Sequence, residues 1–240
     1  MSLSSTLIRP VAKNRDIITF VNNLMKEIFI TGGTGYMGTR LIPLLLARGY
    51  SVKSLVRKGS ENKVPPGCDH VIADPFDASG FQDQISPGST FIQLLGVSHP
   101  SPKKKEQFKS IDLRSVKASA IAAKHAGVAH FIYISVAQLP TKVMRDYQQC
   151  RAEGEQSILS TNIPATFIRP WYVTGPGHYW PLAFLPLFKI LEWIPSTSLK
   201  AKALRLVSIG QMLKTLLYSV ENRPKEKPDI IEINRILKME

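Results

Sequence analysis

The chain is poor in cysteine, in acidic residues and in long apolar runs, and each shortage narrows its function. Only Cys68 and Cys150 occur among 240 residues, far apart and without CxxC or Cys/His spacing. That gives no metal signature and speaks for a reducing compartment rather than a disulfide framework. The five histidines are scattered and read as surface or packing residues. Eighteen Asp and Glu against 31 Lys and Arg leave a formal net charge of +13. Such a surplus attracts anions: a phosphorylated cofactor, an acidic membrane face or nucleic acid. No stretch reaches the ~20 uninterrupted apolar residues of a spanning helix. The nearest, YWPLAFLPLF at 179–188, is short and holds two prolines. Internal repeats and low-complexity segments are also missing.

Against these shortages stands an ordinary globular composition, 44% hydrophobic and 20% charged, at a length that suits one α/β domain. Residues 1–24 stand apart, with three basic residues, one acidic one and no secretory apolar core. A transit peptide is one reading. An extension that does not belong to the fold, with a single domain over 25–240, is the reading adopted. The expected location is cytoplasmic, with contact at a membrane surface as a variant.

Strand and helix signals alternate from Lys26 onward. EIFIT (27–31), SVKSLV (51–56), HVIA (70–73), TFIQLL (90–95), HFIYIS (130–135), ATFIR (165–169) and DIIEIN (229–234) read as strands. Helical spacing marks 38–50, with Pro43 inside it and Gly49 as its stop, then 105–126, 143–160 and 208–222. On 105–126, Phe108, Ile111, Val116, Ala120 and Ala123 fall near one face. The alternation predicts a Rossmann-type, doubly wound parallel sheet with a small irregular or helical C-terminal cap. The cap is placed mainly at 171–205, where seven aromatics and four prolines break the pattern.

The strongest local signal is TGGTGYMG, Thr31-Gly32-Gly33-Thr34-Gly35-Tyr36-Met37-Gly38. Gly32, Gly35 and Gly38 lie between a strand and a helix, where missing Cβ atoms let the backbone approach a pyrophosphate. The helix N-terminus then supplies N–H groups and a positive dipole end. After the second strand a binder of NAD places an acid for the ribose 2′-hydroxyl. Here Arg57 and Lys58 follow Val56 instead, which suits a 2′-phosphate and predicts NADP(H) over NAD(H). Lys58 reads equally as a solvated charge. Asp74-Pro75 follows the third strand, where Asp74 can accept from the adenine amino group. Asp77 reads as a turn cap. Leu95-Gly96 follows the fourth strand, and the glycine lets the backbone pass close to the cofactor's ribose.

TGGTGYMG, LVRKGS, the Asp74 corner, YISVAQ, YQQCR and RPWYVTGPG occur in the order found in the short-chain dehydrogenase/reductase superfamily. The chain resembles its atypical branch of NAD(P)H-binding proteins, which includes NmrA-like redox sensors and relatives of a respiratory complex I accessory subunit. The likeness covers about residues 26–175. It implies a reductive site of Ser135 and Tyr147, twelve residues apart, with Arg151 where the superfamily has lysine. It also implies that Arg169-Pro170 and Trp171-Tyr172-Val173 border the nicotinamide.

Reduction of a carbonyl needs a positioned acid. Ser135 can hold the oxygen while Tyr147 donates, and a cation is needed to stabilise tyrosinate. Tyr147 and Arg151 are i and i+4 on one helix face. Arginine keeps the charge and can donate to the cofactor ribose. It cannot titrate near neutrality, and its flat fork places donors differently from an ammonium. The pair supports a slowed reductase or one with an undemanding substrate. The competing readings are a helix-surface pair and a non-catalytic, cofactor-binding sensor or assembly protein. Glu153 and Glu155 read as solvated helix charges.

The aromatic segment 171–195 suggests an apolar lid that favours a small or lipophilic carbonyl substrate. Shallow membrane insertion through 179–195 and an ordinary subdomain core are its rivals. His178 lies near the expected substrate mouth with no evident partner. Pro102-Lys103-Lys104-Lys105 reads as a solvated loop, and without a nucleic-acid motif no nucleic-acid partner is expected.

Overall fold

The computed structural model describes residues 27–97, 100–138, 144–179 and 205–239. Residues 1–26 and 180–204 lie outside this description, and with them the terminal extension, most of the expected cap and nearly all of the proposed membrane-contact segment.

Seven parallel strands form one sheet: β1 (Glu27–Thr31), β2 (Ser51–Val56), β3 (Asp69–Ile72), β4 (Thr90–Gln93), β5 (His130–Ile134), β6 (Ala165–Arg169) and β9 (Asp229–Glu232). Their order is β3-β2-β1-β4-β5-β6-β9, with every pairing parallel. The strand order reverses between β1 and β4, where a doubly wound sheet opens a crevice at its carboxyl edge. A second, two-stranded parallel sheet joins β7 (Tyr172–Thr174) to β8 (Leu206–Ser208).

Burial on both faces explains why the central strands β1, β4, β5 and β6 read as apolar runs instead of alternating patterns, while the edge strands β3 and β9 stay largely exposed. On one face α1 (Gly38–Ala47), α5 (Ile209–Glu221) and α6 (Ile233–Ile236) pack a core that includes Ile30, Leu41, Ile92, Met212 and Ile231. On the other, α3 (Arg114–Ala126) and α4 (Arg145–Leu159) enclose Phe29, Phe91, Phe131, Val116 and Ile158. A buried polar chain stitches the second face to the sheet centre. Thr31 Oγ1 donates to Gln93 Oε1 at 2.5 Å, Ser119 Oγ donates to the same oxygen at 2.8 Å, and Gln93 Nε2 donates to Ser115 Oγ at 3.2 Å.

Four sequence expectations need correction. The third strand is shifted one residue towards the N-terminus. The closing strand ends at Glu232, because Ile233 and Ile236 turn into the core as a helical turn. The 105–126 helix is not uniform: α2 (Lys105–Gln107) enters a π-helical turn at Phe108–Leu113 before α3 begins. The basic run is not a loop, since Pro102–Lys104 is a 3-10 turn leading into α2. Pro43 stands on the exposed side of α1, which continues through it.

Candidate functional site

At the carboxyl edge of the sheet lies a cleft of about 720 Å³, within the range of small-molecule sites. The β1–α1 loop builds one wall. Gly32 adopts φ +74°, and a Cβ there would stand 2.8 Å from the Leu95 nitrogen, so the loop presses on the β4 segment as only glycine permits. Gly32, Thr34, Gly35, Tyr36 and Met37 line the cleft. Thr31, Gly33 and Gly38 serve beneath it: Thr31 bonds Gln93, and the two glycines permit close packing on Ser54 and on the loop itself. No side chain caps the start of α1; the Thr39 and Arg40 N–H groups donate to the Gly35 and Met37 carbonyls, and the positive dipole end of the helix is left to an anion.

Arg57 lines the cleft at the end of β2, whereas Lys58 is exposed and does not. Pro75 and Phe76 line it after β3. Asp74 is exposed and borders a shallow neighbouring depression, with Oδ1 accepting the Phe76 N–H at 2.9 Å. Asp77 caps its turn by accepting the Ser79 N–H at 3.0 Å, as expected. Leu95, Gly96, Pro170, Trp171, Tyr172 and Val173 all line the cleft. Arg169 does not. Its guanidinium grips Glu155 with two nitrogens and donates to Glu232 at 2.9 Å. Glu155, 4% exposed, is therefore a buried ion-pair partner and not a solvated helix charge; Glu153 is exposed.

Ser135, Tyr147 and Arg151 come together at the same cleft. Ser135 follows β5, is 3% exposed, and its Oγ has no hydrogen-bond partner among the described residues. An orphaned buried hydroxyl facing a cleft is suited to receive a ligand oxygen. Tyr147, on the first turn of α4, packs its ring on Phe108 at 4.8 Å. Burial, foremost, and the Asp112 carboxylate push its phenol above the usual value, against the pull of Arg151. The cation that was expected to make the phenol more acidic is outweighed.

After burial, the second contributor is a residue the sequence did not reveal. Asp112, 1% exposed, forms an ion pair with Arg151, which is 6% exposed. Arg151 Nη1 also donates to the Ile134 carbonyl at 3.0 Å and to the Tyr133 hydroxyl at 3.3 Å, while Nε has no partner among the described residues. The guanidinium carbon lies 5.2 Å from the Tyr147 ring centroid and 5.6 Å from that of Tyr133. Two of the three donor nitrogens are thus committed inward. A lone aspartate in FKSIDLRSV carries no motif, so only the fold exposes its role. His178, which lacked a visible partner in sequence, lines the cleft with its ring 4.2 Å from Tyr36. Lys104, Gln107 and Ile111 also line the cleft. No group of three or more metal-ligating side chains occurs among the described residues, and no described helix is long and apolar enough to cross a membrane.

Residues 32–178 match the sequence family described as NAD(P)H-binding. Among curated proteins, the chain is 26% identical over 152 residues to the ceramide reductase of Caulobacter vibrioides, covering 62% of this chain and 47% of that protein. It is 33% identical over 185 residues to a fatty acid hydroxylase of Mycosarcoma maydis, covering 62% and 60%. It is 26% identical over 185 residues to human sterol-4-alpha-carboxylate 3-dehydrogenase, decarboxylating, covering 68% and 48%. The chain thus spans less than two thirds of these relatives. Among solved structures, the Bordetella bronchiseptica enzyme WbmG in complex with NAD superposes with a TM-score of 0.62 at 19% identity, over 86% of this chain and 72% of that one. UDP-glucuronic acid 4-epimerase from Bacillus cereus in complex with NAD gives 0.63 at 18%, over 86% and 76%.

Proposed function

The chain belongs to the NAD(P)H-binding family, within the short-chain dehydrogenase/reductase superfamily, and from that premise we propose an NADP(H)-dependent reductase of a small or lipophilic carbonyl compound. The observation that carries the chemistry is the unpartnered, buried Ser135 hydroxyl beside Tyr147 on the cleft wall. The glycine loop and the uncapped start of α1 would hold a pyrophosphate, and Arg57 would take a 2′-phosphate. Held there, a dinucleotide would supply hydride chemistry for the carbonyl carbon. Ser135 donates a hydrogen bond to the carbonyl oxygen, and Tyr147 delivers the proton. A phenol with a raised pKa holds its proton at neutral pH and so has one to give in a reduction. The lipid and sterol names of two relatives, together with Trp171 and Tyr172 on the cleft wall, support an apolar substrate.

A second reading has its own support. With Arg151 committed to Asp112, Tyr133 and Ile134, the site also suits a non-catalytic module that responds to cofactor occupancy. Tyr147→Phe separates the two in an assay of NADPH oxidation over a panel of lipophilic ketones and aldehydes. A reductase loses turnover by about 10² or more, the range of a general acid, while cofactor binding persists. Cofactor binding without turnover in the native chain leaves only the sensor.

A further inference from the structure

The tightest knot beside the cleft is the one Asp112 ties, and it joins three elements that the reaction would use. Its Oδ1 takes Arg151 from α4. Its Oδ2 accepts the Val97 N–H at 3.2 Å, from the backbone that floors the cleft after β4. Its own position is set by the π-helical turn, whose extra residue per turn departs from the α-helical ladder and re-aims its side chains. Gly96 completes the fit: a Cβ there would stand 2.4 Å from Arg151 Nη2 and 2.9 Å from Asp112 Oδ1. The ion pair therefore lies directly under the Gly96–Val97 backbone, with the guanidinium carbon 5.2 Å from the Tyr147 ring centroid.

We propose that Asp112 is a positioning residue: it clamps Arg151 as a fixed, internally neutralised cation behind Tyr147, and so sets how readily Tyr147 gives up its proton. An unclamped arginine at this position could swing its donors into the cleft. Clamped, it acts through its charge at a constant distance from the phenol ring. The titratable or charged groups that face the phenol among the described residues are Arg151 and Cys150 from its own helix and Asp112 from the π turn. Tyr133 of β5 shares the guanidinium, and Lys104 also lines the cleft. Of these, Asp112 alone opposes Arg151 from within contact distance. The role of Tyr147 as proton donor rests on the reductase reading above; the clamp itself does not.

The test reads Tyr147 ionisation without substrate, from tyrosine Cζ resonances of labelled protein, with Tyr147→Phe counterparts identifying the signal. In Asp112→Asn the unopposed guanidinium should lower the Tyr147 midpoint by about one pH unit, and the corresponding limb of the kcat profile should move with it. If Asp112→Asn strands a buried charge and fails to fold, the double variant Asp112→Leu/Arg151→Met decides. Apolar replacement of both partners leaves no charge stranded, and the midpoint should then rise above the native one, because burial acts alone. An unchanged midpoint in a folded variant overturns the clamp. Absence of turnover in the native chain, with the midpoints moving as stated, removes the reductase reading and leaves the clamp standing.

Discussion

Gly96 shows how much of this site turns on single atoms. The sequence assigned it to passage of backbone near a ribose, but its missing Cβ also makes room for the Arg151–Asp112 pair. Gly96→Ala should therefore cost about 1–3 kcal/mol, the usual range for forcing a methyl group into a packed site. The measurement is urea unfolding, and a midpoint equal to the native one would show that the pair gives way freely. Arg151 and Gly96 were singled out in the chain, but Asp112 was not. Asp112 and Glu155 both sit in polar helical stretches, where an acid is indistinguishable from a solvated one until its arginine is found 39 or 14 residues away. The glycines were legible because spacing along one loop is local information, whereas Ser135 and Tyr147 were singled out through the resemblance to the short-chain dehydrogenase/reductase superfamily.

At the level of elements, β5 and β6 are joined by a polar contact as well as by their ladder. His130, fully buried on β5, meets Thr166 Oγ1 of β6 at 2.9 Å. Burial, helped by Arg223 and only partly countered by Asp229, pushes this histidine down to about 4. The unfolded chain binds the proton more tightly, so this contribution is complete above about pH 6.5 and fades as pH falls towards 4. Up to about 3 kcal/mol should be lost across that window. Urea midpoints for the native chain should fall between pH 6.5 and 4, and those of His130→Gln should change less; parallel curves would contradict the assignment. The strands were readable because apolar runs bounded by turns have few other uses. The π-helical turn was not, since an inserted residue leaves the apolar spacing of 105–126 looking helical.

For the molecule as a whole, the strand order places the cleft between β1 and β4, and the chain carries a surplus of 13 positive charges. Both suit a polyanionic dinucleotide, but Arg57 is the charge that lines the cleft near the expected 2′-position. Arg57→Ala should weaken NADPH by roughly tenfold or more, the scale of a charge-assisted hydrogen bond, and leave NADH nearly unchanged in calorimetric titration. Equal losses for both would remove the preference. The π-helical turn acts at this scale too. Deleting one residue from Phe108–Leu113 would restore an α-helical ladder and rotate what precedes it by about 100°. Lys104 and Gln107 would then face elsewhere while the seven strands kept their order. A lineage of such chains can exchange one wall of its cleft by gaining or losing a single codon, with no mutation in the sheet.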